Sequence, residues 1–149
     1  LYTSLISSFG HEVVGAAASG GQAVDLARAH RPDVVLLDVH MPDMSGLEAA
    51  RAIAGELPDV AITLITGDHD LMLTDEDALR SGARSLLGKP VQAKQLDSAI
   101  RLARGRSRDE SQLRRDVAEL RDQLEARKLI ERAKGILMRR TGSSEQEAY

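Results

Sequence analysis

The sequence predicts an open α/β fold, a doubly wound parallel sheet, followed by one long helix. Two patterns in residues 1–104 and one beyond them predict it. Short apolar runs alternate with helical patterns across short connections, which builds a parallel sheet with right-handed crossovers. Val34, Val35, Leu36 and Leu37 form a run that is apolar at every position, as suits a parallel strand buried on both faces. From about Arg108 the strand signals stop, and a narrow apolar seam with charged flanks replaces them.

Each element has its own signal. Tyr2, Leu5, Ile6 and Phe9 read as the end of a first helix, and residues 11–16 as a short strand. Gly20 and Gly21 lead into a helix that turns Val24, Leu26 and Ala27 toward a core. Met41 and Pro42 end the second strand, and Ser45 with Glu48 forms a capping box for a helix carrying Leu47, Ala50 and Ile53. Residues 60–65 form the next strand, with a turn at Gly67 and Asp68, and a helix over 70–81 ends at Gly82. Ser85, Leu86 and Leu87 form a short strand ending at Lys89 and Pro90. Residues 91–104 form the last helix of this part, with Leu96, Ala99, Ile100 and Ala103 inward.

Beyond it, Leu113, Val117, Leu120 and Leu124 are spaced 4, 3 and 4, a short coiled-coil signature that a second helix would cover. The plainer reading is an amphipathic helix lying on its own domain. The stripe then shifts to Ala126, Ile130, Ala133 and Leu137, which implies a new packing partner. Gly142 stops the helix, and Ser143 with Gln146, or Ser144 with Glu147, caps another.

Composition closes several routes to function. The chain of 149 residues has no cysteine, which removes disulfides, thiolate zinc sites, iron–sulfur clusters and thiol catalysis. Its histidines (His11, His30, His40 and His69) show no metal-ligand spacing. Tyr2, Phe9 and Tyr149 are its only rings, too few for an aromatic platform that stacks bases. No apolar run approaches membrane-spanning length and no signal-peptide pattern opens the chain, so the expected compartment is the cytoplasm. Charge is uneven. Residues 1–104 hold 9 Lys and Arg against 14 Asp and Glu, whereas 105–149 hold 11 against 9. Arg127, Lys128, Arg132, Lys134, Arg139 and Arg140 crowd into one stretch with Glu131 as the only acid, which points the tail toward an anionic partner.

Chemistry in an open parallel sheet gathers at the carboxyl ends of its strands. Three such ends carry Asp38, Thr66 and Lys89. Taken singly, these are a turn former, a strand residue and a solvated cation. Together, a carboxylate can attack a phosphoryl group while a hydroxyl and an ammonium bind its oxygens. A divalent cation is needed to offset the repulsion between anionic nucleophile and anionic donor.

The string DVHMPDMSG at 38–46, with Thr66, Gly82, Ala83, Lys89 and Pro90, resembles the receiver domain of bacterial response regulators over residues 1–104. The resemblance implies a flavodoxin-like sheet, with Asp38 phosphorylated by a sensor histidine kinase. It also implies Thr66 closing on the phosphoryl group, Lys89 as its charge partner and a cis peptide before Pro90. Mg2+ would be held by Asp38 and the main-chain carbonyl of His40. The family opens with a strand followed by adjacent acids that help hold the metal. The chain begins at Leu1 inside a helix pattern, so it reads as N-terminally incomplete. Leu86 stands where the family usually has Tyr or Phe, so no ring can swing inward behind Thr66. Gly67 replaces the usual alanine. Two other resemblances fail. Ser19-Gly20-Gly21-Gln22 is similar to a transporter-ATPase signature, but no GxxxxGK[ST] phosphate loop accompanies it. The haloacid-dehalogenase phosphatases place a second Asp where this chain has His40.

Residues 129–138 with 144–149, carrying AKGILM and EAY, resemble the ANTAR family of transcription antitermination regulators. That implies the start of a small three-helix RNA-binding domain over 126–149, incomplete at its C-terminus, behind a linker helix over 105–125. The basic residues at 127–140 would neutralise phosphates of RNA hairpins, with Tyr149 facing RNA or packing in the core. The sequence thus reads as a signalling regulator rather than an enzyme, homodimeric through 113–124. The alternative is a receiver that no longer signals by phosphate and serves only to dimerise.

Overall fold

The computed structural model describes residues 2–67 and 73–141. Eight elements follow in order: α1 (Tyr2–Ser8), α2 (Gly20–His30), β1 (Val34–Asp38), α3 (Gly46–Glu56), β2 (Ala61–Thr66), α4 (Asp75–Arg80), β3 (Ser85–Gly88) and α5 (Ala93–Thr141). The three strands form one parallel sheet in the order β1-β2-β3, so spatial order repeats chain order. The expected parallel α/β architecture with a long C-terminal helix is present.

The apolar runs decide which strand is central. Ala61, Ile62, Thr63, Leu64 and Ile65 of β2 are all buried. In β1 only Leu37 reaches full burial, and Val34, Val35 and Leu36 are half-buried, because β1 is an edge of the described sheet. The expectation that 34–37 is buried on both faces is therefore corrected. Ala23, Val24 and Ala27 of α2, with Ala49, Ala50 and Ile53 of α3, pack into one core with Leu37, Ile62 and Leu64. Fully burying a leucine- or isoleucine-sized side chain contributes about 1.5–3 kcal/mol, so these few residues dominate stability. Leu96, Ala99, Ile100 and Ala103 are buried on α5, as their spacing predicted.

Helix starts follow their caps. The Ser19 hydroxyl accepts the Gln22 N–H at the start of α2. Ser45 and Glu48 exchange hydrogen bonds in the capping box expected for α3. The helix expected over 70–81 is shorter, since Thr74 takes the N-cap position with Asp77 as its partner and α4 begins at Asp75. Residues 70–72 and Asp68 lie outside the described residues.

Two further expectations change. Residues 11–16 form no strand: a strand exists by its ladder partners, and this segment has none among the described residues. His11 instead meets Asp97 of α5 at 2.8 Å. The separate helices expected over 91–104 and beyond Arg108 are one helix, α5. Gly105 does not break it, because a single helix glycine costs only about 1 kcal/mol. Ser107 and Ser111, both buried, donate to the Asp59 carbonyl and carboxylate at 2.7 and 2.5 Å.

The chain divides into two compact units, 1–111 and 112–149. The expected helix stop at Gly142, the caps at Ser143 and Ser144, and Tyr149 lie outside the described residues. Among those described, no helix is long and apolar enough to cross a membrane.

Candidate functional site

Ladder register brings the polar residues level. Asp38 lies opposite Ile65, and Thr66 opposite Gly88. The Val39 N–H donates to the Ile65 carbonyl at 2.8 Å, and the Lys89 N–H to the Thr66 carbonyl at 2.7 Å. Asp38, Thr66 and Lys89 therefore meet at one edge of the sheet. The Lys89 ammonium forms an ion pair with Oδ2 of Asp38, and both side chains are partly exposed. Oδ1 of Asp38 accepts the His40 N–H at 3.1 Å. The Thr66 hydroxyl lies 3.5 Å from the Gly67 carbonyl, a long contact for a hydrogen bond. The Lys89–Pro90 peptide is cis, as the resemblance implied.

This edge offers a cation hard oxygen donors. Asp38 supplies a carboxylate, a ligand type Mg2+ takes while keeping several waters. Among the described residues no group of three or more acidic, His or Cys side chains is placed to hold a metal. The partly exposed Asp38 carboxylate fits a cation that keeps several of its waters.

A residue that sequence reasoning missed organises the loop. Asp43 accepts the Gly20 and Gly21 N–H groups at 2.7 and 2.8 Å, tying the loop after Asp38 to the first turn of α2. Those two hydrogen bonds hold the Asp43 carboxyl below its ordinary value of 3.8. A Cβ at Gly20 would lie 2.3 Å from Cγ of Met44, so any larger residue there would displace the Met44 side chain. The usable signal was an acidic residue after Pro42 and a Gly-Gly pair opening a helix. The Ser45 N–H and hydroxyl lower Glu48 in the same way.

A carboxylate lowered by folding adds stability that is present above its unfolded pKa and lost as pH falls through the folded value. Asp43 and Glu48 therefore stabilise the loop at neutral pH and let go below about pH 4. Urea midpoints read by circular dichroism should fall along that limb, and Asp43→Asn should lower the neutral plateau and flatten the fall. An unchanged acid limb in Asp43→Asn would show that the clamp carries no stability.

Leu86 is half-buried on β3 and packs against the core, with no aromatic ring beside Thr66 at that position. The basic candidates lie on α5. Helical period puts Lys128, Arg132 and Arg139 on one face and Arg127 and Lys134 on the adjoining one. Arg127 and Lys128 face Glu131 and Glu125 at 3.6 Å, and Arg139 donates to the Gly135 carbonyl. Arg140 is exposed, like most of this stretch.

Comparison with known proteins matches both parts. The description of the response regulator receiver domain fits residues 1–101, and that of the ANTAR domain fits 118–149. The transcriptional regulatory protein PdtaR of Mycobacterium tuberculosis H37Rv is 42% identical over 142 residues, covering 94% of this chain and 67% of that protein. A response regulator receiver domain protein from Clostridium thermocellum superposes with a TM-score of 0.65 at 32% identity, over 72% of this chain and 85% of its own. The receiver domain of a sensor histidine kinase from Pseudomonas aeruginosa, solved with magnesium coordinated in its active site cleft, gives 0.60 at 30% identity, over 68% and 84%. With the strand-end residues at one edge and both descriptions matched, the chain belongs to the response-regulator receiver family and carries an ANTAR segment behind it.

Proposed function

We propose that this protein controls transcription antitermination by phosphorylation. Asp38 takes a phosphoryl group from the phosphohistidine of a sensor kinase, and the C-terminal segment binds RNA hairpins. The meeting of Asp38, Thr66 and Lys89 at level strand ends, with the Lys89–Asp38 ion pair, carries the reading.

In the transfer, a carboxylate oxygen of Asp38 forms the new bond to phosphorus while the histidine nitrogen–phosphorus bond breaks. Lys89 pairs with Asp38 and then shares its charge with the phosphoryl oxygens. Thr66 exchanges its weak contact with Gly67 for a hydrogen bond to one of those oxygens. Asp38 and the His40 carbonyl would hold Mg2+, which when bound offsets the repulsion between the two anions. Movement of Thr66 and Lys89 then biases α4 and β3, and through them the pairing or exposure of the helical tail. The active species is a homodimer through 113–124.

The test titrates the full-length protein against a two-hairpin leader RNA and a matching duplex DNA, with and without Mg2+ and acetyl phosphate. RNA binding should fall with salt and strengthen with the phosphodonor. Reversing Lys128, Arg132 and Arg139 to Glu should lower the slope of log affinity against log salt by roughly 2. Leu86 favours a second reading, a receiver that dimerises without phosphate control. Binding to neither RNA nor DNA, with Asp38 unmodified by the phosphodonor, would select it.

A further inference from the structure

The strands carry charged residues at their starts as well as polar ones at their ends. Asp33 immediately precedes β1, Asp59 stands two residues ahead of β2, and Arg84 immediately precedes β3. All three meet the same stretch of α5. Arg104 reaches the Asp33 carboxylate at 3.4 Å. Ser107 and Ser111 donate to the Asp59 carbonyl and carboxylate at 2.7 and 2.5 Å. Glu110 pairs with the Arg84 guanidinium, and Arg106 donates to the Arg84 carbonyl at 3.2 Å. Main-chain bonds lace two of the starts into the ladder. The Ala61 N–H donates to the Asp33 carbonyl at 2.9 Å, and the Arg84 N–H to the Ile62 carbonyl at 2.6 Å.

The hold on α5 changes character along the helix. Up to Ala103 its buried residues are apolar. Beyond Ala103 the only buried residues among those described are Ser107 and Ser111, one turn apart on the same face. A hydroxyl taken out of water needs a partner, and a charged acceptor gives the stronger bond. From 112 to 140 every residue is exposed or half-buried, so the polar contacts over 104–111 are the last grip of the strand starts on the helix. Water can replace a broken polar contact at small net cost, whereas parting an apolar face exposes it. The stretch 104–111 can therefore loosen while 96–103 stays packed.

We propose that Asp33, Asp59 and Arg84 form a socket for residues 104–111 of α5, and that this socket relays the state of the strand ends to the helix. β2 ends at Thr66 and β3 runs directly into Lys89, while Asp59 and Arg84 stand at the opposite ends of the same two strands. A shift of β2 and β3, as Thr66 and Lys89 take up a phosphoryl group, changes the reach of Asp59 and Arg84 to the helix. The relay rests on the phosphorylation reading above, and the socket does not.

Hydrogen–deuterium exchange of the full chain, read by mass spectrometry, tests both. Asp59→Ala should speed amide exchange over 105–111 by about tenfold. Glu110→Arg, at an exposed position that leaves the core untouched, should speed it by about threefold, and adding Arg84→Glu should restore it. Acetyl phosphate with Mg2+ should change exchange over 105–111 in the unsubstituted chain and leave it unchanged in Asp59→Ala. Unsubstituted rates in both Asp59→Ala and Glu110→Arg would overturn the socket. Phosphorylated Asp38 with no change over 105–111 would overturn the relay and leave the phosphorylation reading standing. Asp38 unmodified in the unsubstituted chain would overturn that reading and the relay together.

Discussion

Asn in place of Asp38 should abolish phosphate uptake from acetyl phosphate, by at least about a thousandfold, while leaving the receiver folded. An amide oxygen is a poor nucleophile toward phosphorus, and the described sheet edge has no second carboxylate level with Thr66 and Lys89 to replace it. The structural cost is separable because of where the ion pair sits. Asp38 and Lys89 are each more than a third exposed, and partly solvated pairs contribute at most about 1 kcal/mol. Mass spectrometry of intact protein reads the first effect, and thermal unfolding by circular dichroism the second. Equal phosphate uptake by Asp38→Asn would remove Asp38 as the acceptor. A collapse of stability would instead make the pair a structural element.

Gly46→Val should have the opposite signature, a large loss of stability that takes the chemistry with it. Gly46 is the first residue of α3, buried, with its N–H donating to the Val39 carbonyl at 2.8 Å. A Cβ there would lie 2.3 Å from the Asp38 carbonyl oxygen, 2.9 Å from its carbon and 3.0 Å from Cα of Val39. All three atoms are main chain, so no rotamer relieves the overlap. Either α3 lifts off β1, straining the Ser45–Glu48 capping box, or the main chain carrying Asp38 moves. We expect a loss of roughly 3 kcal/mol, which for a unit of this size is a fall of roughly 15 °C in Tm. Gly55→Ala, in the same helix with open space around it, is the control. It should be neutral or raise stability by up to about 1 kcal/mol. Similar behaviour of the two variants would dismiss the close approach at Gly46.

What the sequence made legible was whatever one local rule decides. The run of four apolar residues ahead of Asp38, the box at Ser45 and Glu48, and the inward set on the first turns of α5 each follow from a period or a cap. Asp38, Thr66 and Lys89 were legible because strand ends are marked by a change from apolar to polar. What escaped needed a partner from elsewhere in the chain. Residues 11–16 have strand composition, but only a neighbouring ladder makes a strand. The Asp43 clamp joins residues 23 positions apart, and neither end has a periodic signal. The continuity of α5 past Gly105 was hidden because the apolar pattern changes near Arg108, and Ser107 and Ser111 carry no local sign of a buried partner. Their hydroxyls in fact turn inward to Asp59.

The plain order of the sheet has a consequence for how the protein is made. Since β1, β2 and β3 lie side by side in the order of synthesis, each strand leaving the ribosome finds its neighbour already in place. The last of the three strand-end groups to be synthesised is the lysine. A nascent chain that has not reached Lys89 carries Asp38 without the cation that pairs with it. On the proposed function, competence to accept phosphate arrives late, with the closing of the sheet, and a half-made chain would give a kinase an incomplete target.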